Sequence, residues 1–439
     1  MTLKTRRLLF YFLLFSFVTA ATIVIFYSIG YRVDFENFAI TETGGIYVRS
    51  NPARVDIFLD GEGVKNEAGL LNSGTLVDNL SPGLYSLDIS MDGYSNWHKG
   101  VEITPGAVSV FDSIVLLRTG GGEKIFDAVD GFGFVNTLLL TNKAGKISFD
   151  GTPIQGDKII NFTESGNIIT QNSDTGNYYL TNILNPESAT NLSLTFNNLK
   201  ESRLNLLGAV PIVKIEPYPF DDSRFIIMTA RALYALNPAD SEISQIDPAT
   251  KDFIVSGNEV LIVNESGISN YNLVFETKST VTGDFGTAII SMNTDSSGNN
   301  LVAITDSGRL IHLNRNSGAT TTISSAARYF SFSPNDQLLV FEETSGAIKV
   351  YDFEEEDDEK KIIPLIELDG TSIREVVWYE NNAHIFLKDS SNNLKFVEID
   401  DSMPINEVLI SESVNNFVYD EDSESLYYGN DSGIWQLSI

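Results

Sequence analysis

The sequence predicts an all-β protein carried behind one N-terminal membrane-spanning helix. Three observations point there. One apolar run, Leu8 to Gly30, contains no charge. From Gly45 onward short strands with period-two alternation are punctuated by Gly, Pro, Asn and Asp turns. From Glu123 to Ile439 a strand–turn–strand unit recurs at intervals of roughly 40 residues.

At a helical rise of about 1.5 Å per residue, the roughly 23 residues of the apolar run span about 34 Å, matching the hydrocarbon core of a bilayer. Lys4, Arg6 and Arg7 precede it, whereas Arg32 on the far side is joined by Asp34 and Glu36. Positive charge is retained in the cytoplasm. Residues 1–7 are therefore expected inside and everything after residue 30 outside. A cleaved signal peptide is the alternative, with Val18-Thr19-Ala20 as small residues near a cleavage point. The apolar run continues through Thr22 to Tyr27, beyond the length of a signal-peptide core, so the expectation is an uncleaved anchor over 8–30. Residues 31–44 read as a juxtamembrane link.

The formal net charge of the 439-residue chain is −30. Nucleic acid is excluded as an expected partner, because phosphate binding needs a basic surface. The chain has no cysteine, so disulfides, thiolate metal sites and a cysteine nucleophile are excluded.

In residues 45–118, Ile46-Tyr47-Val48 reads as a strand. Val55, Ile57 and Leu59 then alternate with Arg54, Asp56 and Phe58, leaving Phe58 on the opposite face. Asp60-Gly61, Ser81-Pro82-Gly83, Asp92-Gly93 and Pro105-Gly106 supply turns. Tyr85, Leu87, Ile89 and Met91 alternate again. Ser50-Asn51-Pro52-Ala53-Arg54-Val55, Phe58-Leu59-Asp60-Gly61, Leu80-Ser81-Pro82-Gly83 and Gly93-Tyr94-Ser95-Asn96-Trp97 together resemble the PEGA domain family. Asn51-Pro52-Ala53-Arg54 replaces the namesake Pro-Glu-Gly-Ala. The resemblance implies a small β-sandwich that serves as a non-catalytic extracytoplasmic module.

Thr119 leads into Gly120-Gly121-Gly122, a linker with maximal backbone freedom, so residues 119–122 are expected to separate two domains. Beyond it, the cleanest repeat runs from Ser331-Phe332-Ser333-Pro334-Asn335-Asp336 through Val340-Phe341 to Ile348-Lys349-Val350-Tyr351. Further copies cover Asp295 to Leu313 and Tyr419 to Leu437, with weaker ones near Gly131, Phe162, Asp221, Ser256 and Tyr379. A unit of this length built from four strands cannot bury both faces alone. Radial packing of several units does so and leaves only short edges, which predicts a β-propeller over 123–439. Eight blades fit, with seven as the alternative. The copy at Ser331 to Tyr351 resembles divergent WD-repeat-like and TolB-type propellers, although the G-H and W-D dipeptides of true WD repeats are absent.

His98, His312 and His384 lie far apart, and no H-E-x-x-H, G-x-S-x-G or phosphate-loop motif occurs. The acidic pairs Asp221-Asp222, Asp357-Asp358, Asp400-Asp401 and Glu421-Asp422 are what a strongly acidic chain places in turns. The run Glu354 to Glu359 reads as a solvated loop. Tyr178-Tyr179, Tyr218, Trp378-Tyr379, Tyr427-Tyr428 and Trp435 read first as packing between sheets and second as a binding face. No catalytic, cofactor-binding or metal-ligating residue is assigned. The expected function is a non-enzymatic, membrane-anchored binding or scaffold protein, contacting the bilayer through one helix and an unknown protein or cell-envelope polymer through its propeller. The alternatives are a carboxylate-dependent carbohydrate hydrolase or lyase and a structural cell-surface protein.

Overall fold

The computed structural model describes residues 3–28, 30–34, 39–69, 72–135, 138–149, 151–163, 165–265, 267–281, 283, 285, 288–357, 360–368, 370–380 and 382–439. The chain divides into two compact units. The first comprises residues 1–122 with 400–408 and Ile439. The second comprises 123–399 and 409–438.

The apolar run forms helix α1, Leu3–Ser28, in which no residue is buried. It is long and apolar enough to cross a membrane, with a mean hydropathy of 2.4 over an 18-residue stretch. The segment expected to be a plain link is instead a two-stranded ladder. Tyr31–Asp34 pairs antiparallel with Ala39–Glu42, with Tyr31 opposite Glu42. Short polar stretches give little periodicity, so this pairing left no clear mark in the sequence. Glu36 lies outside the described residues.

The rest of the first unit is a two-sheet sandwich. One sheet has the order Thr75–Leu80, Gly44–Asn51, Val108–Val115. The other runs Glu62–Val64, Asp56–Leu59, Gly83–Ser90, Trp97–Ile103. Ile46 and Val48 from the first sheet meet Ile57, Leu59, Leu87, Ile89, Trp97 and Val101 from the second in one core. Phe58 points away and is exposed, as period-two alternation requires.

The strand Trp97–Ile103 alternates strictly, with Trp97, Lys99, Val101 and Ile103 all buried. It lies at the edge of its sheet, where unpaired backbone groups need a partner. The segment 400–408 supplies one. Gly100 N donates to Met403 O at 3.3 Å, His98 N to Asn406 Oδ1 at 3.1 Å, and Asn406 Nδ2 back to His98 O at 3.1 Å. Lys99, with its side chain fully buried, donates to Ser402 O at 2.7 Å and pairs with Asp400 at 3.4 Å. Burial pushes the Asp400 carboxyl up, but bonds from Ser402 N and its hydroxyl, with the charge of Lys99, bring it below its ordinary value.

The second unit is a β-propeller. Its described strands pair into eight four-stranded sheets. Seven are runs of four consecutive strands, the first beginning at Gly131–Val135 and the seventh ending at Glu407–Ser411. The eighth joins Asn416–Asp420, Ser425–Asn430 and Gly433–Ser438 to Glu123–Phe126, the first strand of the unit. Pairing the two ends of the unit closes the ring. Gly433 permits it: a Cβ there would lie 2.4 Å from Phe126 O, and its φ of +153° also favours glycine.

The second strand of each sheet explains the strongly apolar runs in the repeats. Phe225–Thr229, Val260–Val263, Leu301–Thr305 and His384–Asp389 are buried throughout, because both faces are covered by neighbouring sheets. Left-handed Asp336, φ +64°, takes a turn position that favours glycine. First strands of neighbouring sheets meet: Lys158–Phe162 with Ile212–Tyr218, Asp252–Ser256 with Ile289–Thr294, and Asn416–Asp420 with Gly131–Val135. These strands therefore form the inner ring.

One element was not expected. Helix α2, Leu192–Leu204, is inserted between the second and third sheets. Asn191 caps it, its side chain accepting from Leu194 N at 2.9 Å, and left-handed Asn205 ends it. Leu192, Phe196 and Lys200 form its buried stripe, and Phe196 meets the Tyr234 ring edge-on at 5.2 Å. The two Asn caps and the spacing of Leu192 and Phe196 were the available signals, hidden within a stretch rich in turn-forming Asn and Ser.

Candidate binding site

Polar side chains latch the inner ring from sheet to sheet. Asn161 Nδ2 donates to Glu216 Oε2 at 2.8 Å. Lys214 pairs with Asp252 at 3.0 Å, donates to Phe253 O at 2.6 Å, and lies over the Phe253 ring. Thr294 Oγ1 donates to Ser256 Oγ at 2.9 Å, Val376 N to Tyr329 OH at 3.1 Å, and Asn416 Nδ2 to Phe132 O. Among the described residues Glu216 is the one inner-ring carboxyl with a resolved shift. Burial pushes it up against the opposing pull of Lys214 and the Asn161 amide.

The histidines are separate, as their sequence positions suggested, and each has a local partner. His98 is half exposed, with Nδ1 2.7 Å from Asp88 Oδ1. His384 is buried and stacks on Phe396 at 4.6 Å. His312 Nε2 donates to Asn300 Oδ1 at 2.9 Å, Asn300 Nδ2 donates to Asp295 at 2.8 Å, and the imidazole meets Phe353 edge-on. Burial pushes the His312 pKa below 6.5, against the charge of Asp295. Unfolded His312 thus binds a proton more readily than folded His312, so its contribution to stability is present above about pH 6.5 and falls as pH drops. H312Q should flatten the loss of melting temperature between about pH 7 and pH 5. A pH series of thermal unfolding checks this, and an unchanged slope would assign the acid sensitivity elsewhere.

The acidic pairs serve turns. Asp221 accepts from Ser223 N and Oγ, and Asp222 accepts from Ser165 N at 2.6 Å. Glu421 and Asp422 are exposed. Of the acidic run, Glu354, Glu356 and Asp357 are exposed in the connection after Ala347–Asp352, while Asp358 and Glu359 lie outside the described residues. Among the aromatic candidates, Tyr178, Tyr218, Trp378, Tyr379 and Tyr428 are buried between sheets; Tyr179, Tyr427 and Trp435 are half-buried.

An open cleft of about 420 Å³ lies elsewhere in the second unit. Arg203 at the end of α2, Arg224, the turn Asn237 to Glu242, and Glu276 from the fourth sheet line it. Arg224 packs over the Tyr218 ring at 4.2 Å, and Tyr218 OH donates to Leu273 O at 2.8 Å, tying together turns of the third and fourth sheets. Sequence reading assigned none of these residues. The helix that carries Arg203 was not expected, and isolated arginines carry no motif.

Residues 43–113 match the PEGA domain family, and all of the buried sandwich core except Ile114 and Leu116 lies within them. They form a PEGA domain. No curated protein matches the sequence. Among solved structures the chain is similar to the computationally designed Ika8 protein, with a TM-score of 0.50 and 12% identity, covering 73% of this chain and 98% of that one. It is also similar to Saccharomyces cerevisiae Sqt1, with a TM-score of 0.47 and 14% identity over 72% and 97% of the two chains. For the β-propeller domain of Myceliophteria thermophila Cps50 (Swd1) the TM-score is 0.41 and the identity 9%, over 73% and 98%. At such identity the likeness to Ika8 speaks for the fold alone. A PEGA domain followed by a β-propeller fits a binding or scaffold role.

Proposed function

We propose that this chain is a membrane-anchored extracytoplasmic scaffold whose propeller engages a protein or cell-envelope polymer without catalysis. The observation that carries the reading is α1: 26 residues, none buried, ending where a folded β unit begins. Such a helix hides its apolar surface in a bilayer, and the basic residues before it favour a cytoplasmic N-terminus. The histidines and the turn carboxylates of Asp221 and Asp222 are spent on local structure, which supports binding over chemistry. Deleting residues 3–28 should release a soluble, folded protein, and protease added to spheroplasts should digest the full chain beyond Tyr31. Aggregation of the truncated protein, or full protection of the chain, would overturn the anchor and its orientation.

The hydrolase or lyase reading has one observation in its favour. A raised carboxyl pKa, as at Glu216, is what a general acid requires. That reading expects release of reducing or unsaturated ends from cell-wall polysaccharide, abolished by E216Q. The scaffold reading expects no release by either protein.

A further inference from the structure

We propose that the cleft between α2 and the third and fourth sheets binds an extended segment of a partner protein, one that carries an aspartate or glutamate beside an apolar side chain. The proposal rests on the scaffold reading and gives it a site. Arg203 and Arg224 both line the cleft, and neither lies within ion-pair distance of a carboxylate among the described residues. In a chain with 59 acidic and 29 basic residues, two unpaired guanidinium groups in one concavity are the group a carboxylate would meet. Arg224 lies over the Tyr218 ring, its guanidinium carbon 4.2 Å from the ring centroid, and a planar guanidinium carries the fork of donors that a carboxylate accepts in two prongs.

The turns next in sequence to Tyr218 and Leu273 carry exposed apolar side chains. Phe220, Val274 and Phe275 are all more than 60% exposed, at 81%, 62% and 75%. They flank Tyr218 and Leu273, the two residues joined by the 2.8 Å bond. Phe220 also holds a left-handed backbone, φ +62°, in a place that favours Gly or Asn. Strain of this kind, in a turn that presents an exposed ring, fits a binding surface.

The acidic residues of the cleft narrow the class of ligand. Asp240 is engaged by Asn237 Nδ2 at 2.8 Å, but Glu242 and Glu276 also line the space and oppose a polyanion or free phosphate. A peptide satisfies both signs, with its carboxylate on the arginines and its backbone N–H groups toward the glutamates. The apolar turns could also rest on lipid, but a net charge of −30 disfavours an anionic bilayer surface.

The test uses the full chain in detergent micelles and a short fluorescent peptide that carries one Asp or Glu beside Leu or Phe and is otherwise uncharged. Controls carry Asn or Gln, or Lys or Arg, in place of the acid. The acidic–apolar peptide should bind at least about tenfold more tightly than either control, and R203E/R224E should remove that preference. R224K, which keeps the charge but not the planar fork, should lose part of it, and F220S should weaken binding while both variants melt as the parent does. Equal binding of all three peptides, or a preference untouched by R203E/R224E, would overturn the proposal. So would binding to phosphatidylcholine–phosphatidylglycerol vesicles that depends on Phe220 without any peptide preference. Crosslinking in native membranes separates the two levels. Partners retained by R203E/R224E would remove this cleft but leave the scaffold reading standing, whereas no crosslinked partner for either protein would count against both.

Discussion

Replacing Asp400 by alanine should destabilise the first unit by about 3–5 kcal/mol, the cost of leaving a buried charge without its partner. Lys99 projects from the apolar side of the edge strand Trp97–Ile103, with Trp97 and Val101 beside it, and its side chain is fully buried. Without Asp400 its ammonium would keep only the hydrogen-bonded partners that remain, Ser402 O among them. K99M should cost less, about 1–2 kcal/mol, because Asp400 is partly exposed and keeps its bonds from Ser402 N and Oγ. The double variant D400A/K99M should lie closer to K99M than to D400A, since no ammonium is then stranded. Hydrogen exchange of the Trp97–Ile103 amides and protease cleavage near exposed Met403 read the local effect. The reverse order, with K99M the more damaging, would mean that the Lys99 ammonium acts chiefly through bonds such as that to Ser402 O rather than through its pairing with Asp400.

The same contact marks the limit of what the sequence could show. Alternation through Val55, Ile57 and Leu59, and again through Tyr85, Leu87 and Ile89, located the sandwich, because a strand with one buried face writes its register into the chain. The repeats of the propeller were legible for a related reason: a second strand covered on both faces is largely apolar. Lys99 broke the pattern on a core-facing position, and its partner Ser402 lies 303 residues further on, beyond any local rule. Helix α2 was hidden because its buried stripe is only Leu192, Ser193, Phe196 and Lys200, and the last of these is a lysine. Lys200 is tolerated there because its Nζ donates to Leu206 O at 3.0 Å and Gly208 O at 2.5 Å, carbonyls in the turn that follows the helix. The cleft was illegible for a third reason. Arg203, Arg224 and Glu276 come from a helix and two different sheets, and only the packing of these neighbouring elements brings them to one place.

A second buried charge yields the other large expected effect. Glu342 sits in the second strand of the sixth sheet and is fully buried. Its Oε1 accepts from Arg328 Nη2 at 2.5 Å and from Ile373 N, the start of the seventh sheet, at 3.1 Å. Its Oε2 has no hydrogen-bond partner. The carboxylate therefore depends heavily on Arg328, whose Nη2 also reaches Thr371 O at 2.9 Å and so joins the sixth and seventh sheets a second time. R328A should cost about 3–5 kcal/mol, because it leaves that charge buried with one backbone N–H. R328K should fall between R328A and the parent, since a single ammonium cannot reproduce the planar guanidinium geometry. The decisive comparison is R328A/E342Q. Replacing the stranded carboxylate by a neutral amide should recover a substantial part of the loss in urea unfolding of the second unit. If the double variant is as unstable as R328A alone, the arginine holds the two sheets through Thr371 and its own packing, and the charge of Glu342 is not what it compensates.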